Sequence, residues 1–122
     1  MARILVIDDE ENVRDLLRDV LEERGHEVLE APDGALGSAL SRERPADLVI
    51  TDIIMPNKEG LETILDLRRD HPEVKIIAIS GGARVGRHDV LPLARSLGAL
   101  RTFSKPFNLR ELIDAVDELL SY

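Results

Sequence analysis

Five polar residues of this sequence follow short apolar runs, and their types suit phosphoryl transfer or metal binding. They are Asp8, Asp9, Asp52, Ser80 and Lys105. Apolar runs rich in β-branched residues are typical of strands buried on both faces of a parallel sheet. Parallel sheets carry their chemistry at the carboxyl ends of the strands. We therefore expect these five side chains to share one edge of a sheet.

The three carboxylates of this set need a cation, because clustered carboxylates repel one another and do not all stay ionised alone. A hard divalent ion with oxygen ligands, such as Mg²⁺, suits them. The chain has no cysteine, and its three histidines fall in unrelated segments. Lys105 adds an ammonium group, and Ser80 offers one hydrogen bond to a phosphoryl oxygen. With Asp52 as nucleophile this is a workable phosphoryl-transfer site, since that reaction depends on positioning and charge neutralisation.

The spacing of apolar residues predicts the elements that position these side chains. Five apolar runs alternate with five segments whose apolar residues recur every three or four positions, as in amphipathic helices. This alternation predicts an α/β fold with a doubly wound, five-stranded parallel sheet in the order 2-1-3-4-5. In that order the four strands that carry the polar residues are neighbours. The five runs are Arg3–Ile7, His26–Glu30, Leu48–Ile50, Val74–Ile79 and Ala99–Phe103.

Several residues are expected to mark the ends of helices. Asp33 and Asn108 have side chains that cap the amino ends of helices two and five. Gly25 suits the position that follows the first helix. Gly34 and Gly37 lie inside the second helix and predict that it is intrinsically weak.

Length and composition limit the functions that this chain can have. Its 122 residues predict one domain spanning residues 1–122. The net charge of −8 argues against direct binding to nucleic acid or to an anionic membrane. The absence of cysteine excludes disulfides and thiol catalysis. No apolar stretch approaches the roughly 18 residues of a membrane span, and Arg3 interrupts the candidate for a signal sequence. We expect a cytoplasmic protein.

Together the motifs resemble those of response-regulator receiver domains of two-component signalling, and the resemblance covers the whole chain. Each motif alone has low specificity, but their order and spacing together are highly specific. The resemblance implies a flavodoxin-like fold. The matching segments are Ile4–Glu10, Asp52–Pro56, Gly60, Ser80, Gly98–Ala99 and Lys105–Phe107.

The resemblance implies a role for each acidic residue. Asp52 would take a phosphoryl group from a phosphohistidine on a sensor histidine kinase or a phosphotransfer protein. Asp9 and Asp52 would ligate Mg²⁺ directly, together with the backbone carbonyl of Ile54. Asp8 would act on the ion largely through water.

The resemblance also assigns roles to the remaining polar groups. Lys105 would pair with the carboxylates and then with the phosphoryl group, and Ser80 would move toward a phosphoryl oxygen in the active state. The Lys105–Pro106 peptide bond would be cis. The domain would promote its own phosphorylation and dephosphorylation without being an enzyme for a separate substrate. Its switching surface, formed by helix 4, strand 5 and helix 5, would bind a downstream protein or an output domain.

The sequence departs from the family pattern in three places. Thr102 stands where an aromatic switch residue is usual, and Phe103 should face the opposite side of its strand. The segment from Ser80 to Lys105 is a few residues longer than usual. Ile54 and Gly82 lack polar groups at positions that often tune loss of the phosphoryl group. These departures leave open a receiver-like interaction module with altered or lost switching.

Two other functional classes match less well at the end of the first strand. Phosphatases with an aspartate nucleophile carry an Asp-x-Asp arrangement there. Flavin and nucleotide binders on this fold need a glycine-rich or hydroxyl-rich phosphate loop there. This chain has Asp8, Asp9 and Glu10 instead, and these acids would repel phosphate in the absence of a metal ion.

Overall fold

Strands and helices alternate along the chain in a computed structural model that describes residues 1–53, 60–81, 84–85, 88–89 and 91–121. The strands are β1 (Arg3–Ile7), β2 (Glu27–Ala31), β3 (Leu48–Asp52), β4 (Lys75–Ser80), β5 (Arg84–Val85), β6 (His88–Asp89) and β7 (Arg101–Ser104). The helices are α1 (Glu11–Glu23), α2 (Gly34–Glu43), α3 (Gly60–Asp70), α4 (Leu91–Leu97) and α5 (Leu109–Leu120). Within the described ranges every helix is too short or too polar to cross a bilayer.

Five of the strands form one parallel sheet in the order β2-β1-β3-β4-β7. This confirms the predicted order 2-1-3-4-5, with β7 as the fifth strand of the sheet. The two-residue strands β5 and β6 pair antiparallel with each other in a separate hairpin. The sequence did not indicate these two strands, because runs of two residues are too short to show an alternating pattern.

Helices cover both faces of the sheet, which is why its strands are apolar throughout. On one face, α1 and α5 pack through Leu17, Leu21, Leu112 and Val116 against Ile4, Val6, Ile50 and Ile79. On the other face, α3 and α4 pack through Ile64, Leu67 and Ala94 against Leu5, Ile7, Val49 and Ala78. The doubly wound arrangement is therefore confirmed.

The register of the sheet sets which strand ends meet. Ile7 pairs with Thr51, so that Asp8 follows directly beside Asp52 at the ends of β1 and β3. Ser80 pairs with Ser104, and the Lys105 backbone N–H donates to the Ser80 carbonyl oxygen at 2.8 Å. All five residues of β3 are buried. The central strand therefore holds Asp52 firmly at the edge of the sheet.

The two faces of β7 differ as the sequence predicted. Phe103 packs against the core beneath α1 and α5. Thr102 pairs with Ala78, which belongs to the core on the opposite face. Phe103 therefore does not occupy the position where receiver domains usually carry an aromatic side chain.

Candidate functional site

Four side chains singled out in the sequence lie at the carboxyl edge of the sheet. Asp8 follows the last residue of β1, Asp52 ends β3, Ser80 ends β4, and Lys105 follows β7. Asp8, Asp52 and Ser80 are buried, with exposed fractions of 1%, 3% and 0%. Three polar residues buried at the ends of neighbouring strands need partners there, because a buried polar group without one destabilises the fold.

The Lys105 ammonium is the group that these carboxylates share. Its Nζ lies 2.9 Å from Asp52 Oδ2, 2.8 Å from Asp8 Oδ2 and 3.1 Å from Glu10 Oε1. Its side chain is only 11% exposed. The Lys105–Pro106 peptide bond is cis, as the resemblance implied. One cation therefore joins Asp8 and Glu10 of the loop after β1 to Asp52 at the end of β3.

Burial and charge shift the pKa values of these groups in a way that fits their contacts. Burial raises the pKa of Asp8 above its ordinary value, and the Asp52 charge adds to the rise, although hydrogen bonds from Lys105 and Glu10 oppose it. Burial alone would lower the pKa of Lys105, but its hydrogen bonds and charge attraction to Asp8 and Asp52 outweigh burial and raise it. The lysine therefore stays an ammonium at neutral pH.

Backbone and side-chain hydrogen bonds fix Asp8 within the loop between β1 and α1. The Asp8 N–H donates to the Ala31 carbonyl oxygen at 3.1 Å, and Asp8 Oδ1 accepts from the Glu10 N–H at 2.8 Å. The second bond closes a local turn of the kind that aspartate favours. The turn leaves Asp8 Oδ2 directed toward Lys105, and Asp9 exposed to solvent.

Three consecutive acids in this loop form a cluster that could hold a cation. One carboxylate oxygen from each of Asp8, Asp9 and Glu10 lies within 4.8 Å of the others. Asp8 is buried, whereas Asp9 and Glu10 are exposed. A set of carboxylate oxygens is the donor chemistry that Mg²⁺ prefers, with water completing its shell. The residues present therefore fit a hard divalent ion.

The structure adds Glu10 to the site, although it was not among the candidate site residues named from the sequence. Glu10 precedes α1, but its side chain makes no capping hydrogen bond and contacts Lys105 instead. Its position directly after two candidate ligands was the signal that could have identified it. Ile54, whose carbonyl was predicted to be a metal ligand, lies outside the described residues.

A shallow apolar groove opens beside Lys105 on the α1 side of the site. Its lining combines residues of α1 with the segment that connects β7 to α5. Leu16 is 43% exposed there although it lies on a core-facing helix. The lining residues are Glu10, Val13, Leu16, Gly81, Lys105, Pro106, Phe107 and Leu109.

Comparison with known families identifies the domain. Residues 4–117 match the family described as response regulator receiver domain. This chain belongs to the receiver-domain family of response regulators. The match extends from β1 into α5, so it includes every strand end that forms the acidic site. The receiver is thus a domain of two-component signalling, and a role in a phosphorelay is supported.

Curated relatives of this receiver differ in length. It is 33% identical over 120 residues to the response regulator receiver protein CpdR of Brucella abortus, covering 98% of each chain. It is 31% identical over 119 residues to the sporulation initiation phosphotransferase F of Bacillus subtilis, covering 97% of this chain and 93% of that one. It is 35% identical over 120 residues to the transcriptional regulatory protein CpxR of Klebsiella pneumoniae, covering 98% of this chain. The receiver spans only half the length of that CpxR.

A solved structure shows the same fold. The receiver superimposes on a CheY-like response regulator receiver domain protein of Methanospirillum hungatei with a TM-score of 0.91 and 29% sequence identity. The match covers 99% of this chain and 94% of that protein. The flavodoxin-like fold expected from the sequence is therefore confirmed.

Proposed function

We propose that Asp52 accepts a phosphoryl group from a phosphohistidine in a Mg²⁺-dependent reaction. A carboxylate oxygen of Asp52 attacks phosphorus, the P–N bond to histidine breaks as the P–O bond forms, and the released imidazole takes up a proton. The product is an acylphosphate on Asp52. The domain therefore promotes its own phosphorylation and later hydrolysis, and it does not act as an enzyme on a separate substrate.

The observation that carries this proposal is the position of Lys105. Its ammonium lies 2.9 Å from Asp52 Oδ2 and 2.8 Å from Asp8 Oδ2, at the end of a strand distant in sequence. An ammonium fixed beside the nucleophile would move to a phosphoryl oxygen as negative charge arrives there. Phosphoryl transfer gains chiefly from such preplaced positive charge. Ser80, at the end of the adjacent strand, would donate a hydrogen bond to the same phosphoryl group.

The proposed metal ligands are Asp9 and Asp52 with the Ile54 carbonyl, and Asp8 acts through water. Glu10 joins them on the evidence of the cluster that it forms with Asp8 and Asp9. The bound ion would neutralise charge on the acids and on the incoming phosphoryl oxygens. The chain itself holds carboxylate oxygens of Asp8, Asp9 and Glu10 within 4.8 Å of one another. It keeps Asp52 buried, with Lys105 as its cationic partner.

The proposed phosphodonors are a sensor histidine kinase or a phosphotransfer protein, and the site of reaction is the cytoplasm. The apolar groove beside Lys105 supports a protein donor, because its lining includes exposed Leu16 and half-buried Leu109 next to Lys105. A small phosphorylated metabolite would not need such a surface. One relative is itself named a phosphotransferase of sporulation, which fits a role in a relay.

The proposed output surface consists of α4, β7 and α5. Leu93 and Leu100 are 49% and 40% exposed in this region, and such residues suit contact with a downstream protein or an output domain. The net charge of −8 disfavours nucleic acid or membrane as the partner. Thr102, half-buried on β7, favours a second candidate function. This is an interaction module whose phosphorylation does not reshape its surface.

Phosphorylation with acetyl phosphate and Mg²⁺ tests the acceptor directly. We expect the intact mass to rise by one phosphoryl group, because the acylphosphate survives brief acidic handling. Asp52→Asn should abolish the gain, and chelation of the metal should suppress it. The matched control is Asp114→Asn, which removes an exposed carboxylate from α5 and should leave the gain unchanged.

Two results would count against the proposal. If wild-type protein gains no mass, Asp52 is not an acceptor under these conditions. If Asp52→Asn still gains mass, another residue accepts the phosphoryl group. If the wild type is phosphorylated but backbone amide resonances of α4, β7 and α5 stay unchanged, the second candidate function is favoured.

A further inference from the structure

Arg14 connects the acidic loop to the neighbouring strand β2. Its Nη1 donates to the backbone carbonyl oxygen of Asp8 at 2.7 Å, and its Nε lies 3.7 Å from Glu30 Oε1. The Arg14 side chain is only 18% exposed. A guanidinium is planar and carries its donors in a fixed fork. Arg14 therefore fixes the position of the Asp8 carbonyl relative to β2.

The carbonyl that Arg14 holds belongs to Asp8, which is the first residue after β1 and the first of three consecutive acids. The other polar groups of Asp8 are also engaged: its N–H donates to Ala31, its Oδ1 accepts from the Glu10 N–H, and its Oδ2 contacts Lys105. The orientation of the Asp8–Asp9 peptide sets the direction in which the next side chains leave the backbone. A donor on this carbonyl consequently restrains Asp9 and Glu10 as well as Asp8.

We propose that Arg14 is a positioning residue for the cation site. By holding the Asp8 carbonyl, it keeps the carboxylates of Asp8, Asp9 and Glu10 convergent before an ion binds. The inference rests on the proposed function, since it takes these acids to bind Mg²⁺. Groups outside the ligand set that orient ligands typically change metal affinity by about 10- to 100-fold when they are replaced.

Positioning and electrostatics predict opposite effects of removing Arg14. A guanidinium close to a cation site repels the cation, so its loss should tighten Mg²⁺ binding if charge alone mattered. If Arg14 positions the ligands, its loss should weaken Mg²⁺ binding despite the removed positive charge. The sign of the change in affinity therefore separates the two roles.

Arg18 provides a matched control one turn further along α1. Its Nη1 also contacts Glu30, at 3.3 Å from Oε2, and it pairs with Asp15 and Asp19. Among the described residues, the side chain of Arg18 bonds to Asp15, Asp19 and Glu30 and not to the carbonyl of Asp8. Arg18→Gln thus removes the same charge from the same helix and breaks a contact to the same glutamate, while the support of the acidic loop is retained.

The experiment compares Mg²⁺ dissociation constants of the wild type, Arg14→Gln and Arg18→Gln by titration calorimetry. We expect Arg14→Gln to weaken binding about tenfold, and Arg18→Gln to leave it within about twofold or to tighten it slightly. Urea unfolding with and without Mg²⁺ gives an independent readout. The gain in stability on adding metal depends on the dissociation constant and not on the stability of the metal-free protein.

The outcomes separate the inference from the function on which it rests. If the wild type binds no Mg²⁺, the proposed function fails. If the wild type binds Mg²⁺ and Arg14→Gln binds it equally or more tightly, the inference alone is overturned. If Arg14→Gln does not fold, Arg14→Lys is the variant to test, since it keeps the positive charge but lacks the planar guanidinium. Weaker binding by Arg14→Lys supports positioning, and unchanged binding contradicts it.

Discussion

At the scale of the residue, the site depends on an ammonium group placed between buried acids. Asp8 and Asp52 are almost fully buried, and Lys105 contacts both. Removing one partner of a buried ion pair is costly because it leaves a charge that neither water nor protein compensates. Lys105 therefore has a structural role in addition to its proposed part in phosphoryl transfer.

Lys105→Met should destabilise the metal-free protein at neutral pH. Methionine fills a similar volume but leaves the carboxylates without their cation, so we expect the free energy of unfolding to fall by about 2–4 kcal/mol. The loss should shrink as the pH falls, because burial raises the pKa of Asp8 and a folded protein that binds more protons than the unfolded chain is stabilised by acid. Urea denaturation at several pH values measures both effects.

Arg101→Met is the control for this substitution. Arg101 lies on the same strand β7 but pairs at the surface with exposed Glu118, so its loss should cost less than about 1 kcal/mol. Saturating Mg²⁺ should restore part of the stability lost by Lys105→Met and none of that lost by Arg101→Met. Equal losses in the two variants would contradict the structural role of Lys105.

The sequence predicted the site residues that end the strands, but not the neighbouring side chains that contact and position them. Asp8, Asp52, Ser80 and Lys105 could be placed because a polar residue at the end of an apolar run has one position in a parallel sheet. Glu10 could have been suspected from its place directly after Asp8 and Asp9, but its contact with Lys105 depends on a side-chain direction that spacing does not reveal. The same is true of the bond from Arg14 to a backbone carbonyl, since any exposed arginine of an amphipathic helix shows the same pattern.

At the scale of the element, helix α2 contains glycines that lower its helix propensity but allow it to pack closely against the sheet. The sequence predicted a weak helix because of Gly34 and Gly37, and both glycines are buried within α2. A Cβ at Gly37 would lie 2.4 Å from Ile7 Cδ1 and 2.8 Å from Ile7 Cγ1. Gly37 thus allows α2 to approach β1 closely. Asp33 compensates at the helix start, where its Oδ1 accepts from the Leu36 N–H at 2.9 Å, as predicted.

Gly37→Ala should destabilise the protein although alanine favours helices. The helical gain of about 1 kcal/mol should be outweighed by overlap with Ile7, since overpacking a core typically costs about 1–3 kcal/mol. Ile7→Val removes the overlapping Cδ1, so the double variant should be more stable than the sum of the single changes predicts. Chemical denaturation of the four proteins gives this coupling energy, and strict additivity would contradict the close approach.

The other element boundaries follow the expected chemistry. Asn108 Oδ1 accepts from the Glu111 N–H at 3.0 Å and begins α5, and Gly25 has a φ of 91° after α1. The hairpin of β5 and β6 was not predictable, because strands of two residues carry no periodicity. Local side-chain chemistry thus predicts the ends of long elements better than it predicts the existence of very short ones.

At the scale of the whole molecule, the amino edge of the sheet is also held together by polar contacts. His26 Nδ1 accepts from the Ala2 N–H at 3.1 Å, which ties the chain before β2 to the chain before β1. Burial lowers the pKa of His26. An imidazole that accepts a hydrogen bond through Nδ1 is neutral and carries its proton on Nε2, so protonation by acid should weaken this edge.

The stability of the molecule should therefore depend on the protonation of His26. Because the folded-state pKa is lowered, this contribution is present above the unfolded pKa of 6.5 and is lost as the pH falls through the folded value. His26→Asn keeps an acceptor near the Nδ1 position and cannot be protonated. We expect its free energy of unfolding to fall less than that of the wild type between about pH 7.5 and pH 5.5. Parallel curves in urea denaturation would contradict this assignment.

The complete burial of β3 has a consequence for how a signal could leave this domain. The proposed acceptor Asp52 ends a strand that has little freedom to shift, since core side chains cover β3 on both faces. We therefore expect a rearrangement after phosphorylation to begin in the neighbouring groups, the Ser80 hydroxyl at the end of β4 and the Lys105 ammonium after β7. The conformational change would then spread from the stationary strand β3 to β4 and β7, toward the edge of the sheet.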